Sequence, residues 1–380
     1  MKHVELIYVS LRIVLTEWKN ETAELSVLAF LPESEKEKLT LLQGVCKELG
    51  IPLFGGIFPG LIVHGTFAND GVLLVNFAQR IPATILPEID ERGDIDARRI
   101  SHSVIELLDV CADSILPPTL FLIFDCILPN IGSLLEGLYS RLADRVSYAG
   151  ANAGSETFSP MPCVFNESQV FDRGLLAFLL PFNSTTVLMH GYRHSTRSSS
   201  ATATRGNRIS MIDWQPAFTV YQGLIKEQYG IELTKENFYE YGVHFPFGML
   251  RANSELIVRV PVGLEADGTL RCVGEVPENS ILVLLKAPAA DQDGCIGGLA
   301  HTLENENGSL RARRLMTFYC AGRHKHLGIG AQAELNILKQ ATGVDELFGA
   351  LSQGEIGSTQ IGDYPMYHNA TLVCTPWGAS

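Results

Sequence analysis

The polar residues best suited to bind a ligand lie in three short strings near the end of the 380-residue chain. They are FYCAGRHKHLG from Phe318 to Gly328, QGEIG around Glu355, and YHNAT around His368. Each string places polar groups of fixed geometry where a predicted strand meets a turn, and scaffolds commonly present their binding residues at such positions. We therefore expect the three strings to meet at one cavity.

The residue types in these strings suit a small polar ligand. Arg323 offers a guanidinium fork for a carboxylate, Glu355 offers a carboxylate for an amine, and Asn369 offers both a donor and an acceptor. A glutamate after a glycine turn is also often solvated, and an asparagine before a strand often caps its own turn, so a structural role stays open for each. The residues predicted to bind the ligand are Cys320, Arg323, Gly354, Glu355, His368 and Asn369.

Cys320 has two interpretations. Its neighbours Arg323 and His324 are cationic groups of the kind that lower the pKa of a thiol, which would favour a nucleophilic thiolate. The sequence supplies no base at a fixed position, and a buried or pocket-lining thiol fits equally well. No catalytic residue is predicted, and a Cys-dependent enzyme stays an alternative.

The histidines indicate no metal site. His324 and His326 share a face only on a strand, and a metal would need further ligands from elsewhere in the chain. His64, His244 and His368 are flanked by apolar residues, which suits a hydrogen-bonded core imidazole and also an axial ligand of haem iron. The cofactor is therefore unknown, with haem as an open alternative.

Motifs of the common enzyme and nucleotide-binding classes are absent from the sequence. It has no G-x-x-x-x-G-K-[ST], no G-x-S-x-G and no H-E-x-x-H. The eight cysteines form no C-x-x-C pair, so we expect reduced thiols in the interior. The cysteines are Cys46, Cys111, Cys126, Cys163, Cys272, Cys295, Cys320 and Cys374.

Composition and charge exclude several classes of partner. The net charge is -13, whereas a nucleic acid or an anionic membrane surface attracts a basic protein. Asp125 interrupts the strongest apolar run, TLFLIFDCIL, so no membrane-spanning segment is expected. The first residues, MKHVELIYVS, do not resemble a secretion signal, and we expect a cytoplasmic protein.

Three glycine-containing phrases indicate the elements that position these residues. IPLFGGIFPGLI begins at Ile51, SYAGANAGSE at Ser147 and DELFGALSQGEIG at Asp345. Each follows a predicted amphipathic helix and precedes a strand-like run, and Ser34 is the expected N-cap of the first helix while Gly343 is the expected C-cap residue of the third. The sequence thus predicts a repeated unit of strand, helix, short strand, glycine turn and strand.

Such units need partners to cover their apolar faces, which predicts the fold class. We expect an α/β protein, a layered sandwich of mixed, largely antiparallel sheets with helices on the outer faces, built from repeated strand-helix-strand-turn-strand units. Residues 1–195 and 211–380 are the predicted domains. Residues 196–210, rich in Ser, Thr and Arg, are predicted to be either a linker or a connecting strand.

The same strings carry a resemblance to a known family. FYCAGR, ELNIL, GALSQGEIG and YHNATLV, in this order, resemble the C-terminal domain of the FIST family (F-box and intracellular signal transduction proteins), and DWQPAFTVY resembles the start of that domain. YAGANAG and FDRGLLAFLLP are similar to the end of the family's N-terminal domain. The resemblance covers about residues 25 to 377.

The resemblance implies a sensory protein. Members are thought to bind small ligands, with amino acids proposed, and some carry haem and report nitric oxide to a histidine kinase. It therefore implies a cytoplasmic sensor of an amino acid or similar metabolite that signals through a separate partner protein such as a histidine kinase, since no output domain is visible. A haem-based nitric oxide sensor and a purely structural adaptor are the alternatives.

The N-terminal glycine phrase departs from the family pattern. Where the family usually has a Gly-Cys-Ser/Thr-x-Gly-Glu turn, this chain has GGIFPGLI, with Gly56, Ile57 and apolar neighbours in place of the polar groups. Because Glu355 is kept in the C-terminal phrase, we expect the ligand there.

Overall fold

The computed structural model describes residues 1–22, 24–89, 94–110, 117–180, 182–251, 255–286, 288, 294–357 and 364–378. Cys111 lies outside the described residues, and the seven other cysteines are buried and form no disulfide with a described residue, as the sequence predicts.

Helices and strands alternate along most of the described chain. The helices are α1 (Tyr8–Glu21), α2 (Leu39–Leu49), α3 (Asp94–Val110), α4 (Ile131–Leu142), α5 (Ala217–Tyr229), α6 (Phe238–Gly242), α7 (Cys295–Asn307), α8 (Ala321–Leu327) and α9 (Ile329–Thr342). The strands up to the middle of the chain are β1 (Lys2–Val4), β2 (Ser26–Pro32), β3 (Leu53–Phe58), β4 (Leu61–Val63), β5 (Thr66–Ala68), β6 (Val72–Phe77), β7 (Ala83–Leu86), β8 (Thr119–Asp125), β9 (Ser147–Ala153), β10 (Val164–Asn166), β11 (Val170–Phe171), β12 (Leu175–Leu180) and β13 (Val187–Met189). The remaining strands are β14 (Arg193–Arg205), β15 (Arg208–Ile212), β16 (Gln215–Pro216), β17 (Phe247–Leu250), β18 (Leu256–Arg259), β19 (Pro261–Leu264), β20 (Leu270–Cys272), β21 (Ile281–Lys286), β22 (Arg314–Cys320), β23 (Glu346–Ser352), β24 (Glu355–Gly357), β25 (Met366–His368) and β26 (Leu372–Trp377).

Three of the sheets share one strand order. The orders are β1-β6-β2-β3-β10-β11, β7-β12-β8-β9-β24-β25 and β13-β26-β22-β23-β4-β5. In each sheet the third and fourth strands are parallel, and a helical crossover joins them, while the second strand runs antiparallel to the third. We refer to the segments from β2 to β6, β8 to β12 and β22 to β26 as the first, second and third units.

Each unit gives its hairpin to the sheet of another unit. The β4–β5 hairpin of the first unit pairs with β23, the β10–β11 hairpin of the second with β3, and the β24–β25 hairpin of the third with β9. The exchange closes a ring of three sheets. The two predicted domains therefore contribute strands to the same sheets. The division into residues 1–195 and 211–380 remains a prediction from the sequence.

One glycine in each of the three phrases has the same structural role. Gly55, Gly150 and Gly349 each lie in the second parallel strand of a unit, opposite a residue of the first. A Cβ atom at these positions would lie 2.0, 2.2 and 2.0 Å from the carbonyl oxygen of the facing residue, which no side chain tolerates. Glycine therefore permits the close approach of the two parallel strands in all three units.

One apolar core lies between the three sheets. The ring of Phe318 in β22 lies 5.5 Å from Phe30, 5.6 Å from Phe58 and 5.8 Å from Phe121, measured between ring centroids. These phenylalanines belong to all three units and are buried. Ile57 and Phe58 of the N-terminal glycine phrase also fill this core, so that phrase presents apolar side chains to the interior.

The fourth sheet covers one side of this body. Its order is β18-β17-β21-β14-β15-β20-β19, with β16 paired to β15, and all its pairs are antiparallel. Residues 196–210 form most of β14 and the start of β15, joined by a turn at Gly206 and Asn207. These residues therefore lie in two paired strands and the turn that joins them.

The predicted fold class is confirmed, since helices and mostly antiparallel sheets alternate along the described chain. Gly343 ends α9 with a φ of 63° and donates its N–H to the carbonyl of Lys339, as a C-cap glycine does. The predicted N-cap at Ser34 is wrong. A 3-10 helix over Glu33–Lys38 precedes α2, and the Ser34 hydroxyl donates instead to the carbonyl of Asn69.

Candidate functional site

A cleft of about 560 Å³ lies where the third unit, the fourth sheet and the segment after β9 of the second unit meet. Its size falls in the range of pockets that bind small molecules. One wall is apolar and comes from the region of β18, β19 and β20, and the opposite wall is formed by polar side chains at strand ends and turns. The lining residues are Glu156, Thr157, Phe158, Tyr239, Val243, Val260, Pro261, Val262, Val273, Cys320, Ala321, Gly322, Lys325, Gln353 and Asn369.

Cys320 is the last residue of β22 and forms part of the cleft wall. Burial raises the pKa of its thiol to about 12, and the nearby carboxyl of Glu355 acts in the same direction. Hydrogen bonds from the backbone N–H groups of Gly322, Arg323 and Ala370 oppose this rise without cancelling it. The thiol is therefore protonated at neutral pH, which favours a pocket-lining role over a nucleophilic one.

Asn369 lines the cleft, and its side chain has an acceptor without a described partner. The side chain is 1% exposed, and its Nδ2 donates to the carbonyl oxygen of His368 over 3.0 Å. Its Oδ1 is buried and has no hydrogen-bond partner among the residues that the structure describes. Such an atom costs about 1–3 kcal/mol when it stays unpaired, so a donor group of a ligand would stabilise this site.

Gln353 fixes the turn between β23 and β24. Its Nε2 donates to the carbonyl of Ser155 over 2.6 Å, which joins this turn to the residues that follow β9 in the second unit. The next residue, Gly354, is a glycine because a Cβ atom there would lie 2.2 Å from the Tyr367 hydroxyl oxygen. Gly354 thus permits this packing and is not itself a lining residue of the cleft.

Glu355 lies behind Cys320 and does not line the cleft. Its carboxylate accepts hydrogen bonds from the hydroxyls of Ser352 at 2.5 Å and Thr371 at 2.7 Å. Burial nevertheless raises the pKa of Glu355 to about 8, because the loss of hydration outweighs these donors. The carboxyl is therefore largely protonated at neutral pH.

Arg323 is bound within the protein. Its guanidinium forms a bidentate ion pair with Glu334 at 2.9 and 2.6 Å, and its third nitrogen donates to the carbonyl of His190 over 2.6 Å. Tyr319 adds a hydrogen bond to the same carboxylate over 2.6 Å. Both ionic side chains are almost fully buried, so Arg323 stabilises the joint between α8 and α9 and is not directed at a ligand.

His368 is fully buried beside Glu355 in the sheet, since the two residues are directly paired on β24 and β25. Burial holds the pKa of its imidazole well below the usual value, with His190 and Arg259 acting in the same direction. Neither ring nitrogen has a hydrogen-bond partner among the described residues. His368 is a neutral core residue outside the cleft lining.

The structure thus places two of the six sequence-predicted residues, Cys320 and Asn369, on the cleft wall. Gly354, Glu355 and His368 lie directly behind that wall or beside its residues in sequence. The residues that sequence reasoning missed are Gln353 and the apolar wall of the fourth sheet. Gln353 is next to Gly354 in the sequence and could have been predicted with it. No pattern in the distant apolar strands indicates that they share a cleft with Cys320.

Charged groups occur at the exposed rim. Glu156 and Lys325 line the cleft and are exposed, so the rim carries one group of each sign. A ligand with both an amine and a carboxylate matches such a rim, while its apolar part would contact the valine-rich wall.

A larger depression of about 830 Å³ lies near the C-terminal end of α2. Its lining includes Lys47, Arg80 and Glu167, which are surface residues. We place the candidate site in the smaller cleft because its lining, unlike the described lining of this depression, combines an apolar wall with a residue, Asn369, whose buried Oδ1 has no described partner.

The cleft does not fit a histidine-ligated haem. No histidine occurs among the described lining residues. His64 is exposed and paired with Glu346 at 3.0 Å, and His244 contacts His326. Within the described ranges no group of three or more His, Cys, Asp or Glu side chains is arranged to hold a metal ion.

Comparison with known proteins identifies two matching family models. The model described as the FIST N domain matches residues 26–215, and the model described as the FIST C domain matches residues 217–358. No curated protein matches the chain. In the part of the chain that the structure describes, every helix is too short or too polar to cross a bilayer.

Proposed function

Because the chain belongs to the FIST family, whose domains are associated with signal transduction and small-ligand sensing, we propose that it is a sensor that binds a small metabolite in the cleft beside Cys320 and Asn369. The observation that carries the proposal is that Asn369, a residue of the cleft wall, has a buried Oδ1 without a partner among the described residues. A ligand donor would satisfy it.

The ligand is an amino acid or a metabolite of similar chemistry. Its polar end contacts Asn369 and the rim charges of Glu156 and Lys325, and its apolar part packs against Val260 and Val273. Buried polar groups that need a donor give selectivity, because an analogue without that donor leaves them unpaired. Glu355 and His368 support the wall from behind.

The signal passes to a separate partner protein, such as a histidine kinase, in the cytoplasm. This part of the proposal is supported only by the association of the family with signal transduction. The cleft suits this role, because residues of the third unit and of the fourth sheet line it and a ligand that contacts both would couple their positions.

Thermal unfolding of the full chain tests the proposal. A ligand that binds only the folded state raises the melting temperature, so we expect at least one amino acid or related metabolite from a panel to do so. Isothermal titration with that compound should show about tenfold weaker binding to Asn369→Ala, since one buried hydrogen bond is lost. Asn336→Ala, an exposed asparagine on α9, is the matched control and should bind as the wild type does.

Two results would count against this function. One is the absence of any melting-temperature increase in protein shown by native mass spectrometry to be free of bound ligand. The other is a compound that binds Asn369→Ala as tightly as the wild type.

A further inference from the structure

A second, smaller pocket of about 260 Å³ adjoins the cleft and shares Phe158, Val262 and Val273 with it. It lies at the end of β8, which is the strand of the second unit that corresponds to β22 in the third. The remaining lining residues are Cys126, Ile127, Pro129, Pro160, Arg173, Asn207, Arg208, Arg271, Cys272 and Gly274.

The two pockets occupy corresponding places. Asp125 is the last residue of β8, and Cys320 is the last residue of β22. Each lies three residues after the residue that is paired with the glycine of the neighbouring parallel strand, Gly150 or Gly349. Arg173 and Ala370 each lie two residues before the last strand of their unit, with φ values of 45° and 58°. The N–H of Arg173 donates to Asp125 over 2.7 Å, as the N–H of Ala370 does to the Cys320 thiol.

The charge of the smaller pocket is unusual for this chain. Three arginines, Arg173, Arg208 and Arg271, line it, and no acidic side chain occurs among its described lining residues. The chain as a whole carries a net charge of -13. The pocket is therefore a local concentration of positive charge on an acidic protein.

Strand pairing places the arginines side by side. Arg208 of β15 is directly opposite Arg271 of β20 on one side and Arg205 of β14 on the other. Like charges at directly opposite positions of antiparallel strands destabilise a sheet. Glu265 compensates for one of these charges by pairing with Arg208, and a further anion in the pocket would reduce the remaining repulsion.

The arginine donors are largely available. The guanidinium of Arg271 has no hydrogen bond or ion pair with any residue that the structure describes. Arg208 uses only its Nε, which pairs with Glu265 at 2.8 Å, and Arg173 uses its Nε to hold the carbonyl of Ile89 at 3.3 Å. Their terminal nitrogens thus remain for a ligand.

Asn207 supplies a neutral polar group in the same pocket. Its Nδ2 donates to the carbonyl of Cys272 over 3.0 Å, which fixes the amide. Its Oδ1 is buried and has no partner in the described ranges. A hydroxyl group on the ligand would complete this contact.

We infer that the pocket of Arg173, Arg208 and Arg271 is a binding site for a phosphate group, either free or on a small molecule. A phosphate carries nearly two negative charges and three strong acceptor oxygens, which match several guanidinium groups, whereas a carboxylate is satisfied by one. The negative net charge of the chain opposes a polyanion such as a nucleic acid, so a single phosphate group is the expected ligand. The inference does not require the Cys320 cleft to be occupied.

Isothermal titration of the full chain with inorganic phosphate, at constant ionic strength, tests this site. We expect saturable binding that is about tenfold weaker in Arg271→Gln and in Arg208→Gln, since each loses a charge-assisted hydrogen bond. Arg12→Gln, which removes an exposed arginine of α1, makes the same change in net charge and should bind phosphate as the wild type does. Glycerol phosphate is titrated in parallel, and tighter binding than phosphate would identify an organic phosphate as the natural ligand.

Thermal unfolding without phosphate separates binding from folding. Arg271→Gln removes one of two facing like charges, so its melting temperature should equal or exceed that of the wild type. Absence of phosphate binding, equal binding by the wild type and Arg271→Gln, or tighter binding of acetate than of phosphate would overturn the inference. Because the probes are phosphates, failure here leaves the metabolite test of the Asn369 cleft unaffected.

Discussion

Glu355 gives the sharpest prediction, because its burial makes the stability of the protein depend on pH. The folded state holds the pKa of this carboxyl at about 8, against an ordinary value of 4.5. Between these values the folded protein keeps a proton that the unfolded chain has released. The unfolded state then binds fewer protons, so stability falls as pH rises from about 4.5 through about 8.

The magnitude follows from the shift in pKa. A difference of about 3.5 in pKa between the two states corresponds to about 5 kcal/mol, at about 1.4 kcal/mol for each unit of pKa. This contribution to stability is fully present below about pH 4.5 and lost above about pH 8. Glu355→Gln carries no ionisable group and keeps the shape of the side chain, so it should lack this dependence.

Urea unfolding at about pH 5 and about pH 8.5 measures the effect as the difference in unfolding free energy between the wild type and Glu355→Gln. We expect the wild type to lose several kcal/mol of unfolding free energy relative to Glu355→Gln at the higher pH. Glu106→Gln on α3, whose glutamate side chain is 66% exposed, is the control for removing a carboxylate. A difference between the wild type and Glu355→Gln that is the same at both pH values, or that shifts in favour of the wild type, would refute the reasoning.

Two further predictions concern stability. Glu334→Ala leaves the buried Arg323 charge without its partner and should lower the unfolding free energy, measured in urea, by about 3–5 kcal/mol. The double variant Arg323→Leu, Glu334→Leu should lose less unfolding free energy than its two single variants lose together. Additive losses would contradict the coupling of the two side chains. Gly349→Ala places a Cβ atom 2.0 Å from the carbonyl oxygen of Thr317 and should lower the melting temperature strongly. Gly223→Ala lies on an exposed face of α5, where a Cβ atom meets no other atom within 4 Å, and should raise the melting temperature slightly. Equal effects of the two substitutions would contradict the close-approach argument.

The sequence predicts the elements of the fold well and their pairing poorly. The helices before each glycine phrase and the strands after it are visible as apolar periodicity, because that pattern is local. The exchange of hairpins between units is not visible, since the pairing of β4 with β23 depends on contacts almost three hundred residues apart. Only the structure shows that Gly55, Gly150 and Gly349 serve the same close approach.

The candidate site was predictable in part for the same reason. Cys320 and Asn369 are found from sequence because both lie at the junction of a strand and a turn. Arg323 has the same local context, but Glu334, which binds it, is on the next helix. A signal for this ion pair was present, since Glu334 falls on the buried face of α9 with Ala331 and Leu338.

The account depends on a small molecule binding between Asn369 and the apolar wall of the fourth sheet. A crystal structure of the full chain with the compound that most raises its melting temperature tests this most directly. We expect density for that compound in the cleft, with a donor within hydrogen-bond distance of Asn369 Oδ1 and apolar atoms against Val260. Density for the compound at another place, with the cleft filled only by solvent, would contradict the account.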